Sequence, residues 1–207
     1  MDVQEVVKQK RVVPLISDKL GFEIISKAVN VLEGLGIQYW FATGTALGVA
    51  RAGKPMQFDV DIDVEIWHRD YHRITDILEG FKAQGFNFKS FHSYRGRIEQ
   101  IGWLYKGLLF DITFKHLDGA NAWCTSKDVQ KDGSIKWVDK AYPREWFEDL
   151  EYIKAYDVLD IPVPNPVEDY LAWNYGDDWQ TPQEDYWEKH GYYADRNCIT
   201  TINKDIA

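Results

Sequence analysis

Cysteine and long apolar runs are both scarce in this sequence. Only two cysteines, Cys124 and Cys198, occur among 207 residues, and neither stands at metal-ligand spacing from a histidine pair. A disulfide framework and a zinc finger are therefore not indicated, and a reducing compartment fits best. No window approaches the ~18 apolar residues of a membrane span, and no apolar segment of signal-peptide length opens the chain. We expect a cytoplasmic protein without a membrane span.

Positive charge is also limited, because 24 lysines and arginines stand against 33 acidic residues, for a net charge of −9. Binding to nucleic acid through a broad basic surface is therefore disfavoured, and we expect no nucleic-acid partner. Hydrophobic residues make up 45% of the sequence, enough for one well-buried core. With no repeat, low-complexity tract or flexible linker, residues 1–207 are predicted to form a single domain.

Aromatic residues are abundant in the second half of the chain, and we expect most of them, such as Trp187, in the core. Trp179 is expected to close off the core with Tyr175, with stacking near a ligand as the alternative. His68 and His72 are four positions apart, but this interval straddles a predicted helix start. Solvated or core roles are therefore expected for the histidines, which also include His92, His116 and His190.

Helical and extended patterns alternate in the first half. Apolar residues at helical spacing predict a helix with Ser17 or Asp18 as N-cap and Gly36 as its stop. A β-prone run, residues 37–42, follows. The turn "TGT" then leads into a short helix from Thr45 to about Arg51.

An acidic strand is predicted next. Carboxylate and aliphatic side chains alternate from Asp59 to Ile66, which puts the acids on one face and the aliphatic residues on the other face of a half-buried strand. The acids are Asp59, Asp61, Asp63 and Glu65, and the aliphatic residues are Val60, Ile62, Val64 and Ile66. A helix with Asp70 as its cap and Gly85 as its stop follows.

The middle of the chain predicts a hairpin. "RIEQIGWLY" and "LLFDITF" are β-prone, and Lys106 and Gly107 between them suit a tight turn. Asp111 stands in the middle of the second strand. Residues 115–134 are polar and rich in turn formers, which suggests a surface excursion before "IKWVD" returns to a strand.

The last predicted element is a short helix. Asn165 is its expected N-cap, Pro166 its first helical residue and Glu168 its capping-box acid, and it ends near Gly176. Taken together, the elements predict an α+β fold, with one mixed β-sheet flanked by helices.

The acidic strand suggests a metal site. Asp61 and Asp63 occupy neighbouring positions on one face, roughly 7 Å apart along the strand, and can reach a shared cation. Hard divalent ions such as Mg²⁺ bind carboxylates together with substrate phosphates, and Asp111 is the natural third ligand. A solvated acidic face is the alternative. Aspartate is depleted in strands, however, and clustered carboxylates need a cation or raised pKa values to coexist.

The segment "GTALG" offers a second half of such a site. A turn that feeds a helix N-terminus presents backbone N–H groups and a positive dipole to an anion. Gly44 permits close approach, and Thr45 can hydrogen-bond a phosphate or cap the helix. Arg51 could add a charge-assisted contact to the phosphate. A simple capped helix is the alternative.

Several separated motifs resemble those of the LicD family, which includes bacterial phosphocholine transferases and the fukutin-related proteins within the nucleotidyltransferase-like superfamily. They are "GTALGVARAGKPMQFDVDIDVEI", "RDYHRI", "FDITF" and "IPVPNPVEDYLAWNYGDDWQTP". They occur in the family's order and cover most of residues 37–183. One departure is Val60, which interrupts the acidic run that family members often show.

The resemblance implies a nucleotidyltransferase-like fold, a bound Mg²⁺ or Mn²⁺, and transfer of a phosphate-linked group such as phosphocholine or a polyol phosphate. A CDP-activated compound would be the donor, and a sugar hydroxyl of a glycan the acceptor. Asp61, Asp63 and Asp111 would be the catalytic metal ligands, with Asp111 alternatively the base. The donor phosphates would lie at Gly44 and Thr45, with Arg51 nearby.

Two other functions remain open at this point. A true nucleotidyltransferase would use the same metal site but leave the nucleotide on the acceptor and release pyrophosphate. A noncatalytic glycan- or metal-binding module would keep only the fold. The product of the reaction separates these alternatives, because the main hypothesis predicts CMP.

Overall fold

The computed structural model describes residues 15–129 and 135–182. The helices in these ranges are α1 (Asp18–Gly34), α2 (Thr43–Ala52), α3 (Ile74–Ala83) and α4 (Val167–Tyr175). The strands are β1 (Tyr39–Phe41), β2 (Asp61–Trp67), β3 (Asn87–Tyr94), β4 (Arg97–Tyr105), β5 (Leu108–Asp118), β6 (Asn121–Val129), β7 (Ile135–Pro143), β8 (Glu151–Ala155) and β9 (Leu159–Val163). Trp187, His190 and Cys198 lie outside the described residues.

The main sheet is mixed, with the strand order β1-β2-β5-β4-β3. Strands β2 and β5 run parallel, and the other neighbouring pairs are antiparallel. The end of β5 also pairs with β6, which pairs in turn with β7, and β8 and β9 form a separate hairpin. The predicted α+β class with a mixed sheet and flanking helices is confirmed.

Helices α1 and α3 pack on one face of this sheet. The α1 helix begins where the sequence predicts, since the Ser17 hydroxyl accepts the Leu20 N–H at 3.3 Å. From α3, the Phe81 ring lies 4.9 Å from the ring centroids of both Trp103 and Phe110. Aromatic packing of this kind adds to the burial of apolar area. This face of β4 and β5 is therefore filled, and their polar side chains point to the opposite face.

Three predicted element boundaries change in the first half. Helix α2 begins at Thr43, ahead of the predicted start. Strand β2 begins at Asp61 rather than Asp59, and Val60 is 46% exposed instead of belonging to the buried aliphatic face. Asp70 does not cap an α-helix, because it lies within a 3₁₀ helix, His68–Arg73, that precedes α3.

The expected surface excursion over residues 115–134 is wrong for its described part. Strand β5 continues to Asp118, and β6 pairs along its length with β7. Buried positions of β6 include the polar Thr125 as well as Ala122 and Cys124, and Asn121 is exposed. A strand with polar residues at both buried and exposed positions shows too little apolar alternation to be distinguished from a loop.

The start of α4 also differs from the prediction. Pro166 occupies the N-cap position and makes no side-chain capping bond, so neither Asn165 nor Glu168 acts as expected. The first helical N–H, at Val167, is instead accepted by the Glu151 carboxylate at 3.1 Å. The cap is supplied by a strand distant in sequence. The predicted end at Gly176 is confirmed.

None of the helices in the described ranges is both long enough and apolar enough to cross a bilayer.

Candidate active site

The structure brings Asp61, Asp63 and Asp111 together. In the parallel pairing of β2 with β5, Asp63 is the register partner of Asp111, and Asp61 is one same-face position away on β2. Each carboxylate offers an oxygen within 4.8 Å of the oxygens offered by the other two. The cluster that the sequence predicted is therefore present as a group of side chains on one face of the sheet.

Burial and mutual repulsion raise the pKa values of all three carboxyls. Burial, followed by the charges of Asp59 and Asp111, raises the pKa of Asp61 to about 7. Burial and the Asp63 charge raise the pKa of Asp111 to about 7. Burial and the Asp61 charge hold the pKa of Asp63 well above its ordinary range. The burial and mutual repulsion of these carboxylates therefore favour the binding of a cation.

The donor set fits a hard divalent ion. Mg²⁺ binds oxygens at about 2.0–2.1 Å in octahedral geometry, so ligand oxygens on one ion lie about 3 to 4 Å apart. The aspartate oxygens lie within 4.8 Å of one another, and small side-chain rotations would bring them onto one ion. Mn²⁺ accepts the same oxygen donors. The identity of the ion remains a prediction.

Asp59 lies beside the cluster rather than within it. Its carboxylate accepts the Val60 N–H at 2.9 Å, and burial together with the Asp63 charge raises its pKa to about 6. The same carboxylate lies against Gly44, where an added Cβ would collide with it. Gly44 therefore gives room to the carboxylate of Asp59. A contact between Gly44 and donor phosphate stays a prediction.

Thr45 has a different partner from the one expected. Its side chain is fully buried, and its hydroxyl accepts the Asp63 backbone N–H at 2.9 Å. A buried hydroxyl bound to the strand does not face a phosphate. Thr45 therefore joins α2 to β2 and supports the backbone that carries Asp63.

Thr43, which the sequence did not single out, is the threonine that reaches the carboxylates. Its hydroxyl donates to Asp63 Oδ2, and its backbone N–H donates to the Tyr170 hydroxyl at 3.1 Å. Its φ of 44° lies in the left-handed region, which is unusual for a β-branched residue. Tyr170 of α4 therefore holds a strained turn in place, and the turn orients Asp63.

Arg51 is not brought to the cluster. It stands at the C-terminal end of α2, about 12 Å along the helix axis from Thr43. Its guanidinium donates to the carbonyls of Trp179 and Thr181. These contacts fix the segment that follows α4. The predicted phosphate contact of Arg51 has no support in this geometry.

Lys89 is a cation on the side of the sheet that carries the acids. It stands at a β-bulge in β3, between Phe88 and Ser90, and bulges re-aim side chains near functional sites. Its ammonium acts to lower the pKa of both Asp61 and Asp111, although burial outweighs this effect. Its side chain is exposed. A solvated cation beside the carboxylates is well placed for an incoming phosphate.

The sequence contained a signal for β3 that our prediction did not use. Arg95 and Gly96 separate β3 from β4, and both have positive φ angles, of 50° and 77°. An Xaa-Gly pair between two β-prone runs is typical of a tight hairpin. Recognition of this turn would have placed β3, and Lys89 with it, next to β4.

Gly102 provides space for Asp111. It pairs with Ser90 on β3 and with Asp111 on β5. A Cβ at Gly102 would lie 2.8 Å from Asp111 Oδ1 and 3.2 Å from Ser90 Oγ. The missing side chain therefore lets the Asp111 carboxylate lie over β4, which no helix or strand pattern predicts.

A hydrogen-bonded chain continues from Asp111 to β3. Gln100 Nε2 donates to Asp111 Oδ2 at 3.3 Å, and Gln100 Oε1 lies 2.6 Å from His92 Nδ1. His92 is partly buried. The sequence predicted a solvated or core role for this histidine, and its connection to the acidic cluster depends on the β3–β4 register.

Glu65 lies on the same face of β2 as Asp61 and Asp63 but is buried, unlike them. It is 3% exposed, and its carboxylate pairs with the fully buried Lys115 ammonium at 2.9 Å. Trp40 Nε1 donates to the same oxygen at 2.7 Å. The ammonium lies 3.8 Å from the centroid of the Tyr142 ring. Buried charges need such compensation, and the result is a neutralised ion pair below the site.

The remaining aromatic predictions concern packing. Trp179 is 8% exposed and belongs to the main apolar cluster, and Tyr175 packs against that cluster, so their core role is confirmed. His68 and His116 stack on each other with ring centroids 4.3 Å apart. His116 Nε2 lies 2.8 Å from the buried Glu99 carboxylate.

Comparisons with known proteins identify a family and several similar proteins. A family model described as "LicD/FKTN/FKRP, nucleotidyltransferase domain" matches residues 36–166. The mouse protein named "Ribitol-5-phosphate transferase FKTN" is 24% identical over 184 residues, which cover 87% of this chain and 37% of that protein. For the human protein of the same name, the identity is 23% over 187 residues, with coverages of 88% and 38%. The chain thus spans well under half the length of these relatives.

Other similar proteins include an uncharacterized protein of Rickettsia typhi, which is 32% identical over 147 residues, covering 70% of this chain and 41% of that protein. Among solved structures, the antibiotic-resistance factor ANT(2″)-Ia matches with a TM-score of 0.46 and 14% identity, covering 77% of this chain and 71% of that chain. A putative nucleotidyltransferase from Thermotoga maritima matches with a TM-score of 0.44 and 15% identity, covering 77% and 86%. Because the family model spans more than half of the sequence, the chain belongs to the LicD/FKTN/FKRP nucleotidyltransferase-domain family.

Proposed function

We propose that this protein transfers a phosphate-linked group, such as phosphocholine or a polyol phosphate, from a CDP-activated donor to a sugar hydroxyl of a glycan. The reaction depends on Mg²⁺ or Mn²⁺. The observation that carries the proposal is the cluster of Asp61, Asp63 and Asp111, whose oxygens lie within 4.8 Å of one another on two parallel strands. Family membership supports it.

The three aspartates would hold the metal, and their raised pKa values express the charge that the metal would compensate. A divalent cation bound there supplies charge neutralisation for the donor diphosphate and for the leaving CMP. Thr43 fixes one oxygen of Asp63 by donating to Oδ2, which leaves the other oxygen available. Asp111 is oriented in the same way by Gln100.

Two further features would bind and position the donor. Lys89, an exposed cation whose charge acts on Asp61 and Asp111, would contact a non-bridging phosphate oxygen. The first turn of α2, at Thr43 and Gly44, presents its N-terminal end to the same region. Positioning and electrostatics account for most of the rate enhancement in phosphoryl transfer. No covalent intermediate with the protein is required.

The names of the relatives support the class of reaction. The mouse and human proteins are named ribitol-5-phosphate transferases, so a polyol phosphate is a reasonable cargo and a sugar a reasonable acceptor. A cytoplasmic location and the absence of a nucleic-acid partner stay predictions.

The test incubates the protein with Mg²⁺ and a panel of CDP-choline, CDP-ribitol, CDP-glycerol and nucleoside triphosphates, with and without a sugar acceptor. We expect metal-dependent CMP release from one CDP compound. Pyrophosphate release from a triphosphate would instead identify a nucleotidyltransferase. No release from any member of the panel, at equal metal saturation, would favour a noncatalytic module and contradict the proposal.

Two variants make the test specific. Asp61→Asn removes one predicted ligand, and we expect loss of CMP release to background. Asp118→Asn is the matched control, because Asp118 is an exposed aspartate at the far end of β5. We expect its turnover to equal that of the wild type. Unchanged turnover in Asp61→Asn would show that the metal assignment is wrong.

A further inference from the structure

The hydrogen-bond chain from Asp111 through Gln100 to His92 has a fixed direction. A carboxylate that binds a metal only accepts hydrogen bonds, so the end of Gln100 that faces Asp111 must be the amide nitrogen. That nitrogen lies 3.3 Å from Asp111 Oδ2. The carbonyl end of the same amide therefore faces His92, at 2.6 Å from Nδ1. The orientation of the amide follows from the chemistry of its first partner.

The orientation of Gln100 determines the tautomer of His92. An amide oxygen only accepts, so His92 Nδ1 must carry the hydrogen that forms the 2.6 Å contact. In the neutral ring, Nε2 is then left with a lone pair. Within residues 15–129 and 135–182, Nε2 has no hydrogen-bond partner. In this tautomer, Nε2 is able to accept a proton.

The imidazole lies on the same face of the sheet as the carboxylates. His92 pairs with Gln100 on β4, and Gln100 pairs with Thr113 on β5. Thr113 is one same-face position from Asp111. Gln100 thus holds the imidazole on the face of the sheet that carries the carboxylates. A base oriented by a third group is the arrangement that activates a hydroxyl nucleophile.

We propose that His92 Nε2 is the general base of the transfer reaction, a role that rests on the proposed function above. It accepts the proton of the acceptor sugar hydroxyl as the hydroxyl oxygen bonds to the phosphorus of the transferred group. The bond from this phosphorus to the bridging oxygen of the diphosphate breaks, and that oxygen leaves on CMP. The imidazolium then returns its proton to solvent. Asp111 keeps its place as a metal ligand, and Gln100 is a positioning residue.

The kinetic test uses His92→Asn, because an asparagine amide can still donate to Gln100 but has no counterpart of Nε2. With CDP-ribitol and a sugar acceptor, we expect kcat to fall about 10²- to 10⁴-fold. The KM for the donor and the affinity for Mn²⁺ should change less than twofold. An acceptor with a more acidic hydroxyl should recover part of the rate. His72→Gln, on an exposed histidine, is the matched control and should turn over like the wild type.

A second measurement tests the hydrogen-bond chain and does not depend on enzymatic turnover. Long-range ¹H–¹⁵N spectra of the histidine rings should show neutral His92 protonated at Nδ1 in the wild type, and Gln100→Leu should lose this preference. Protonation at Nε2 in the wild type, or a kcat of His92→Asn within threefold of the wild type, would overturn the assignment. Absence of CMP release from the wild type would refute the proposed function and the base role together. The tautomer of His92 would still test the hydrogen-bond chain from Asp111 through Gln100 in that case.

Discussion

Replacement of Asp61 by asparagine is expected to stabilise the metal-free protein at pH 8 while it abolishes metal binding. Asp61 suits this change because its side-chain hydrogen bond is to the Asp59 carboxylate, to which an asparagine amide can still donate. Asp63 and Asp111 instead accept hydrogen bonds from Thr43 and Gln100. Asparagine has nearly the same shape and carries no charge. The variant therefore removes repulsion within the cluster and leaves the packing intact.

The sign of the expected change in stability follows from proton linkage. The pKa of Asp61 rises from 3.8 to about 7 on folding, through burial and the charges of Asp59 and Asp111. The folded state thus binds more protons than the unfolded state between these values, and the free energy of unfolding falls as the pH rises through this window. The destabilisation is absent below about pH 4 and complete above about pH 7.

The size of the expected change in stability follows from the same two pKa values of Asp61. A pKa raised from 3.8 to about 7 corresponds to about 4 kcal/mol against the ionised form at pH 8. The charges of Asp61 and its neighbours share this cost, so we take about half of it, ~2 kcal/mol, as the gain in the variant. For a chain of this length, 2 kcal/mol raises Tm by about 4 to 8 °C.

The assay is thermal unfolding in EDTA at pH 5 and pH 8, with Asp118→Asn as the control for loss of an exposed aspartate. The difference in Tm between variant and wild type should be larger at pH 8 than at pH 5, because the carboxyl is mostly protonated at pH 5. Addition of Mg²⁺ at pH 8 should stabilise the wild type and not the variant. A Tm difference that is zero or negative at pH 8, or equal at both pH values, would refute the reasoning.

The remaining predictions concern the groups around the cluster. Lys89→Met should raise the KM for the CDP donor about 10- to 100-fold, from loss of a charge-assisted contact, with kcat nearly unchanged; an unaltered KM would contradict the phosphate role. Tyr170→Phe leaves the Thr43 N–H without its hydroxyl partner, so urea titration should show that the free energy of unfolding falls by about 1–3 kcal/mol. Mn²⁺ should also bind more weakly, and an unchanged Mn²⁺ affinity would show that Tyr170 of α4 does not support the metal site. Gly102→Ala would place a Cβ 2.8 Å from Asp111 Oδ1, and we expect Mn²⁺ affinity in a direct titration to fall at least tenfold; equal affinity would show that Asp111 is free to shift.

The sequence predicted the members of the acidic cluster because strand alternation has a period of two. Asp61 and Asp63 lie on one face whichever strand pairs with β2. The alternation does not specify which strand pairs with β2. Only the parallel register of β2 with β5 places Asp111 beside Asp63. The positions of Lys89, His92 and their neighbours depended on β3, whose turn was not recognised, and on the register of its bulge.

The sequence by itself determined the local features of this protein: the capped α1 helix, the hairpin turn at Lys106 and Gly107, and the shared face of Asp61 and Asp63. Each depends on contacts within a few residues, which propensity and periodicity describe. Tertiary structure alone decided the rest. The packing of α2 on β2 buries Thr45, and the Arg51 guanidinium binds the segment after α4. The pairing of β3 with β4 connects His92 to Asp111 through Gln100. Those outcomes depend on which strands and helices meet, and no local pattern specifies the partners.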